Sequence, residues 1–273
     1  MILADYHTHT NLSFDGDCDC STDALCASAI ERGITDLAIT DHYECNWQEF
    51  DAYKPFNAQT AYERIMAAKD KYAGRLNLAY GIELGQINQV PDEAIKVLRE
   101  NKFDFVLCSI HNISNHPDFY FMDFTDPEIQ EKIPYMFDKS IDELCDSLDT
   151  IDCIDSVAHI TYMRRYVELA GASYDFTRHF DHVQALFDKM ISKDVALEVN
   201  VSTLWKGLGF SMPDYDFLRL YKNCGGKLLT IGTDTHSTQN VGRSIKDGLS
   251  IIKSVGFDSV MTVKDGKKIL NKI

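Results

Sequence analysis

Six segments of the chain end an apolar, strand-like run on a histidine or a carboxylate. They are Asp5-Tyr-His7-Thr-His9, Thr40-Asp41-His42, Gly81-Ile-Glu83, Ser109-Ile-His111, Val157-Ala-His159 and Thr233-Asp234-Thr-His236. Side chains alternate faces along a strand, so His7 and His9 point the same way, as do Asp234 and His236. Neutral imidazole and carboxylate are ligands of zinc, manganese and iron. Several of them converging at one end of a sheet need a cation to offset their charge, and the pattern points to a hydrolytic metal centre. A single His-x-His carries little weight, because a lone core histidine is usually just hydrogen-bonded. Repetition carries the argument: six of the nine histidines close a strand-like run, which chance placement does not produce.

These residues need strands to bring them together. Short apolar runs alternate with helical patterns from end to end. Strands are expected near Ile2–Tyr6, Asp36–Thr40, Leu76–Glu83, Phe105–His111, Ser156–His159, Ala196–Asn200 and Leu228–Gly232. Helices are expected near 22–32, 60–73, 92–101, 127–149, 177–192, 214–224 and 242–255, with a last one near 265–271. Ser21 can cap the first helix and Gly33 suits its exit. Pro213-Asp214 opens a later helix, and Asn223-Cys-Gly225-Gly226 closes it. Such repetition signals parallel strands with right-handed crossovers, and seven units over about 250 residues favour a barrel over an open sheet. No Gly-rich loop follows the first strand, which disfavours a dinucleotide fold. Without a linker, repeat or low-complexity tract, residues 1–273 read as one domain.

Two connections are long and aromatic. One runs from Tyr43 to Gln59 with Trp47, Phe50, Tyr53 and Phe56. The other runs from Asn112 to Asp126 with His116, Phe119, Tyr120, Phe121 and Phe124. Loops at the C-terminal ends of barrel strands build substrate pockets, although aromatics there can also simply cover the barrel mouth.

At 273 residues with 45% hydrophobic side chains the chain can bury a full core. No apolar run reaches the roughly 18 residues of a membrane span, and the start lacks a basic n-region and a long apolar h-region. A soluble, cytoplasmic protein is expected. The eight cysteines are scattered, Cys18-Asp-Cys20 being the one close pair, and they read as reduced thiols. A net charge of −15 argues against nucleic acid as partner, since that affinity rests on Lys and Arg. It leaves room for an anionic substrate, because bound divalent cations reverse the field locally.

The order of His7-Thr-His9, Asp15, Thr40-Asp41-His42, Glu83, His111, His159 and Asp234-Thr-His236 resembles the polymerase-and-histidinol-phosphatase (PHP) superfamily, from residue 5 to about 245. The resemblance implies a distorted, TIM-like (β/α)7 barrel holding three divalent metals, zinc, manganese or iron. It gives the first metal His7, His9, Glu83 and Asp234. Glu83 bridges to a second, completed by His111 and His159, and a third takes Asp15, His42 and His236. Asp15 stands where other members carry histidine, which bears on the third site's metal preference. Glu83 and Asp234 are thereby given catalytic as well as metal-binding roles. In the implied chemistry a hydroxide shared by two cations attacks phosphorus in line while the metals stabilise the phosphoryl oxygens. Asp41 faces away from His42 along the strand, and capping, orienting a ligand and direct catalysis are all open to it.

Within the superfamily, Ala158-His159-Ile-Thr-Tyr-Met-Arg164-Arg165-Tyr166 and Leu197-Glu198-Val-Asn200, then Gly207 and Pro213, are similar to the histidinol-phosphate phosphatase branch. That branch implies hydrolysis of L-histidinol phosphate, with an arginine beyond the strand-5 histidine binding phosphate. A guanidinium forks naturally onto phosphate oxygens. Arg165 is favoured over Arg164 for that role, the alternative being a surface arginine paired with an acid such as Glu168. One departure stands out. Where the branch shows a Gly-Leu-Arg-Lys-like run, this chain reads Ser202-Thr-Leu-Trp205-Lys206-Gly207, so Lys206 is the candidate second cation. His179 and His182 lie three apart in a helix and read as non-catalytic, and His116 as a solvated loop residue. Asn200 is expected to face inward. A PHP phosphoesterase for another small phosphomonoester or nucleotide, and a metal-binding module without turnover, are the competing readings. Oligomeric state is not legible.

Overall fold

Parallel strands buried on both faces are predominantly apolar, and the strand segments here are largely buried, their apolar residues broken by polar ones such as His42, Glu83 and Glu198. They are β1 (Ala4–Asp5), β2 (Asp36–Ile39), β3 (His42–Glu44), β4 (Asn77–Gly85), β5 (Phe105–Ser109), β6 (Ser156–Val157), β7 (Ala196–Asn200) and β8 (Leu229–Gly232). The computed structural model describes residues 2–49, 53, 56–264 and 266–273. All eight segments pair in parallel and follow one another around a single sheet. β2 and β3 share one register on β4, with Ile39 opposite Tyr80 and His42 opposite Glu83, so they form one strand interrupted at Thr40-Asp41. Seven strand positions result, matching the expected number.

The sheet curls back on itself. The Tyr6 N–H donates to Ile231 O and the Asp234 N–H to His7 O, both at 2.8 Å, and Thr8 bridges Thr235. Helices fill the connections: α1 (Thr22–Glu31), α2 (Ala58–Lys71), α3 (Pro91–Glu100), α4 (Pro127–Gln130), α5 (Ile133–Thr150), α6 (Tyr162–Leu169), α7 (Phe180–Ser192), α8 (Ser202–Trp205), α9 (Tyr215–Asn223) and α10 (Ile245–Val255). Their apolar stripes lie on the sheet and on one another. Met136, Phe137, Leu144 and Leu148 of α5 and Val183, Leu186, Phe187 and Met190 of α7 are all buried. Ser21 caps α1 by accepting from the Ala24 N–H at 3.2 Å, and Asp214 caps α9. Gly33 and Gly225 take the left-handed exits that favour glycine, at φ +79° and +96°. Among the described residues no helix is long and apolar enough to cross a membrane.

Several expectations need correction. The segment near 265–271 is not a helix: β10 (Lys267–Lys272) pairs antiparallel with β9 (Ser259–Lys264). Val260, Thr262 and Val263 are β-branched and buried, and Gly266 takes a left-handed backbone at φ +70° just before β10, so pairing outweighs the helical spacing of the lysines. The expected helix over 127–149 breaks into α4 and α5. Helices α6 and α8 and strand β3 were not expected, each being too short for a periodic signal. Phe50 lies outside the described residues.

Gly232 has its place where β8 meets β1. A Cβ there would lie 2.3 Å from His7 Cβ and 2.7 Å from Glu198 Oε1. Gly232→Ala is therefore expected to lower stability by about 1–3 kcal/mol, the usual cost of overpacking, as read by urea denaturation of metal-free protein.

Candidate metal centre

Each strand delivers its polar residue at the same end of the barrel. His7 and His9 leave β1, His42 opens β3, Glu83 sits in β4, and His111 and His159 lie two residues beyond β5 and β6. Asp234 and His236 follow β8. Asp234 takes a left-handed backbone, φ +52°, uncommon for a residue with a side chain. Its neighbour Thr233 is pinned to buried Asp5 through the Thr233 N–H at 2.9 Å and hydroxyl at 2.7 Å. Burial raises the Asp5 carboxyl to about 6 against the pull of these bonds.

The nine expected ligands fall into three groups. Ligand atoms 2.0–2.1 Å from a tetrahedral zinc lie roughly 3.3 Å apart, and the spacings here cluster around that value. In the first group His7 Nε2 lies 3.2 Å and His9 Nε2 3.6 Å from Glu83 Oε2, and the two imidazoles lie 3.7 and 3.6 Å from Asp234 Oδ1. In the second, the other Glu83 oxygen, Oε1, is 3.3 Å from His111 Nε2 and 3.1 Å from His159 Nε2. In the third, His42 Nε2 and His236 Nε2 are 3.3 Å apart, at 3.7 and 3.1 Å from the Asp15 carboxylate. Glu83 thus divides its two oxygens between two sets of nitrogens.

The donor set fits divalent cations. His7 Nε2, His9 Nε2 and Glu83 Oε2 are buried and lack any hydrogen-bond partner, although all three face one point. Orphaned buried polar atoms of this kind are costly unless something binds them. Burial, with His236 and His42 close by, holds the His9 imidazole well below its ordinary range, in the neutral form a metal requires. Burial alone would raise the Glu83 carboxyl, but His7, His42 and His111 hold it well below the usual carboxylate range. Burial acts the same way on Asp234, and His7, His9 and Arg165 reverse it.

Carboxylates behind the imidazoles fix which nitrogen faces inward. Glu198 Oε1 lies 2.7 Å from His7 Nδ1 and its Oε2 accepts from the His159 N–H at 2.8 Å. Ser13 Oγ lies 3.2 Å from His9 Nδ1 and donates to Asp41 at 2.9 Å, so Asp41 orients a ligand at one remove. Glu44 Oε1 lies 2.9 Å from His111 Nδ1 and 3.1 Å from His42 Nδ1. In the sequence Glu44 carries one signal, its place two residues beyond His42 on the same strand face, and Glu198 only its place in Leu197-Glu198-Val-Asn200. Asn200 Oδ1 accepts from the Ser202 N–H and hydroxyl and so shapes the start of α8.

A cavity of about 410 Å³ opens beside the cluster, lined in part by Asp118, Arg165, Lys206 and Asp234. Helix α6 places Tyr162, Arg165 and Tyr166 on one face while Met163 and Val167 pack inward. The Arg165 guanidinium donates to Asp234 Oδ2 at 2.9 Å and Ser202 Oγ at 3.1 Å, lies over the Tyr162 and Tyr166 rings, and leaves its buried Nε unpaired. Arg164, the less favoured candidate for the phosphate-binding role, is placed elsewhere. It pairs with Asp214 and Glu168, stacks on Phe210, and does not line the cavity. Lys206 does line it, while the Trp205 N–H donates to Thr233 O at 3.4 Å.

The long loops divide their aromatics. Tyr120 and Phe121 line the cavity, whereas Phe119 and Phe124 are core residues. Buried Asp118 accepts from the Tyr53 hydroxyl at 3.1 Å and the Tyr120 N–H at 2.8 Å. His179 lies between Asp138 and Tyr174, and His182 meets Asp142, all outside the cavity. His116 lies by Ser114 O and the Tyr135 ring. All eight cysteines are free.

The profile of the PHP domain matches residues 5–202. Across 272 residues the chain is 26% identical to "Probable histidinol-phosphatase" of Thermotoga maritima, with 98% of each covered. It is 24% identical over 272 residues to histidinol-phosphatase of Lactococcus lactis, covering 100% of this chain and 98% of the relative. A crystal structure of the Lactococcus lactis histidinol phosphate phosphatase, complexed with zinc, L-histidinol and phosphate, shares the fold, with a TM-score of 0.79 at 22% identity over 98% of each chain. With the profile spanning β1 to α8 and the ligand residues gathered at one barrel mouth, the chain belongs to the PHP domain family.

Proposed function

We propose that the protein is a metal-dependent phosphomonoesterase that hydrolyses L-histidinol phosphate to L-histidinol and phosphate. The observation that carries this reading is the Glu83 carboxylate, whose Oε2 faces His7 and His9 while its Oε1 faces His111 and His159. Relatives of matching length named histidinol-phosphatase support the substrate. His7, His9, Glu83 and Asp234 would hold one divalent ion, Glu83, His111 and His159 a second, and Asp15, His42 and His236 a third, as zinc, manganese or iron. Such ions lower the pKa of water and offset charge on phosphoryl oxygens.

The chain's own residues divide the remaining work. Arg165, fixed by Ser202 and two tyrosine rings, offers a planar fork to the phosphate at the edge of the first metal group. Lys206 adds a point charge beside it, next to Trp205, which stands where the branch carries an arginine. Asp118 and the Tyr120, Phe121, Tyr162 and Tyr166 rings suit a cationic, flat leaving group, through charge and ring stacking. Burial pushes the Asp118 carboxyl up, so an approaching cation would strengthen its charge. We assign the chain one domain and a cytosolic setting, in keeping with its single core cluster and free thiols.

Phosphate release is expected to vanish on chelation and return with zinc, manganese or iron. Across a panel of phosphomonoesters, equal kcat/KM for histidinol phosphate and p-nitrophenyl phosphate would remove the substrate assignment and leave the phosphatase assignment standing. Arg165→Ala is expected to lower kcat/KM on the order of 10- to 150-fold, equivalent to about 1.5–3 kcal/mol for a hydrogen bond to a charged group. Arg164→Ala should change it less than about threefold, since its partners lie outside the cavity. Asp118→Asn should raise KM for histidinol phosphate while sparing p-nitrophenyl phosphate, whose leaving group has no cation. Steady-state kinetics on both substrates checks this.

A further inference from the structure

Among the carboxylates behind the imidazoles, Glu44 serves two of the metal groups at once. One oxygen, Oε1, lies 2.9 Å from His111 Nδ1 and 3.1 Å from His42 Nδ1. The opposite nitrogens of those rings face different groups: His111 Nε2 lies 3.3 Å from Glu83 Oε1, and His42 Nε2 lies 3.3 Å from His236 Nε2. The Glu44 side chain is 1% exposed and its Oε2 has no partner. The backbone makes room for it: a Cβ on Gly85 would meet Glu44 Oε2 at 2.0 Å. His42 Nδ1 makes no hydrogen bond as it stands: Glu44 Oε1 lies beside it, and so does Glu83 Oε2 at 2.9 Å, an oxygen that also faces His7 and His9. A cation held by His7 and His9 would claim it, leaving Glu44 to hold His42.

Resting on the three-metal reading, we infer that Glu44 is a positioning residue shared by the second and third metal sites, so that its removal loosens both ions at once. A hydrogen bond to the far nitrogen of an imidazole fixes its tautomer and ring plane, and losing it typically costs 10–100-fold in metal affinity. Glu198 and Ser13 do this for single imidazoles in the first group. Glu44 bonds His111 in the second group and stands beside His42 in the third, placed to do it for two. Removing one carboxylate therefore loosens both ions, whereas removing a ligand unique to one group loosens one.

The test is metal content by mass spectrometry after equilibrium dialysis, with free zinc buffered just above the wild type's weakest dissociation constant. The wild type should retain three ions per chain, Asp15→Ala and His159→Ala two each, and Glu44→Ala one. Combining Glu44→Ala with either of the other substitutions should remove no further ion. Glu44→Gln, which keeps a carbonyl acceptor at the Oε1 position, should restore most of the loss. If Glu44→Ala does not fold, as read by circular dichroism, Glu44→Asp takes its place, its carboxylate one methylene short of the two rings, and should lose the same two ions. Two ions retained by the Glu44 variant, with one double variant dropping to one, would overturn the shared role alone. A wild type holding fewer than three would overturn the three-metal reading and the shared role with it.

Discussion

A carboxylate with no access to water tolerates its charge only if cations or strong donors surround it. Glu83 is fully buried at the barrel mouth, and His7, His9, His42, His111 and His159 all approach it within 3.6 Å. Every other feature of the site answers to that crowding. The imidazoles reach it because the strands bearing them are parallel and end together. The outer carboxylates Glu198, Glu44 and Asp41 keep the ring nitrogens turned toward it. The burden is arranged in layers, carboxylate behind imidazole around carboxylate, and divalent ions would complete the balance.

Much of this was legible in the residues, because strand-end polar groups follow from the two-residue alternation of a strand, and a barrel brings all strand ends to one rim. The seven strand positions and the gathering of His7, His9, His42, Glu83, His111, His159, Asp234 and His236 follow from that logic, whereas Asp15 and the division into three groups are what the family resemblance implies. What escaped has a physical reason in each case. Glu44 is an unremarkable acid in sequence, and its role appears only when β3 lies beside β4 and His111 comes within reach. Arg164 and Arg165 are adjacent in the chain, but on α6 they diverge by the helical step, so one meets Asp214 and the other Asp234. The C-terminal hairpin shows the reverse: lysines at helical spacing yielded to pairing with a buried strand.

The cavity beside the cluster combines opposite demands. Arg165 and Lys206 supply positive charge in a chain whose net charge is −15, and Asp118 supplies negative charge among aromatic rings. A ligand with an anionic end and a flat cationic end would match both without leaving either buried group unpaired. Specificity of this sort comes from the cost of mismatched polar groups more than from contact area.

The hydrogen bonds joining Asp5 to Thr233 link positions 228 apart in the chain. His7, His9 and Glu83 therefore leave the ribosome long before Asp234, the residue that completes the first group. That group is assembled only when the last barrel strand closes the cylinder, in a fold rich in distant pairings. Glu83, His111 and His159 are by contrast all made before β8, so the first and third groups depend on closure of the barrel and the second does not.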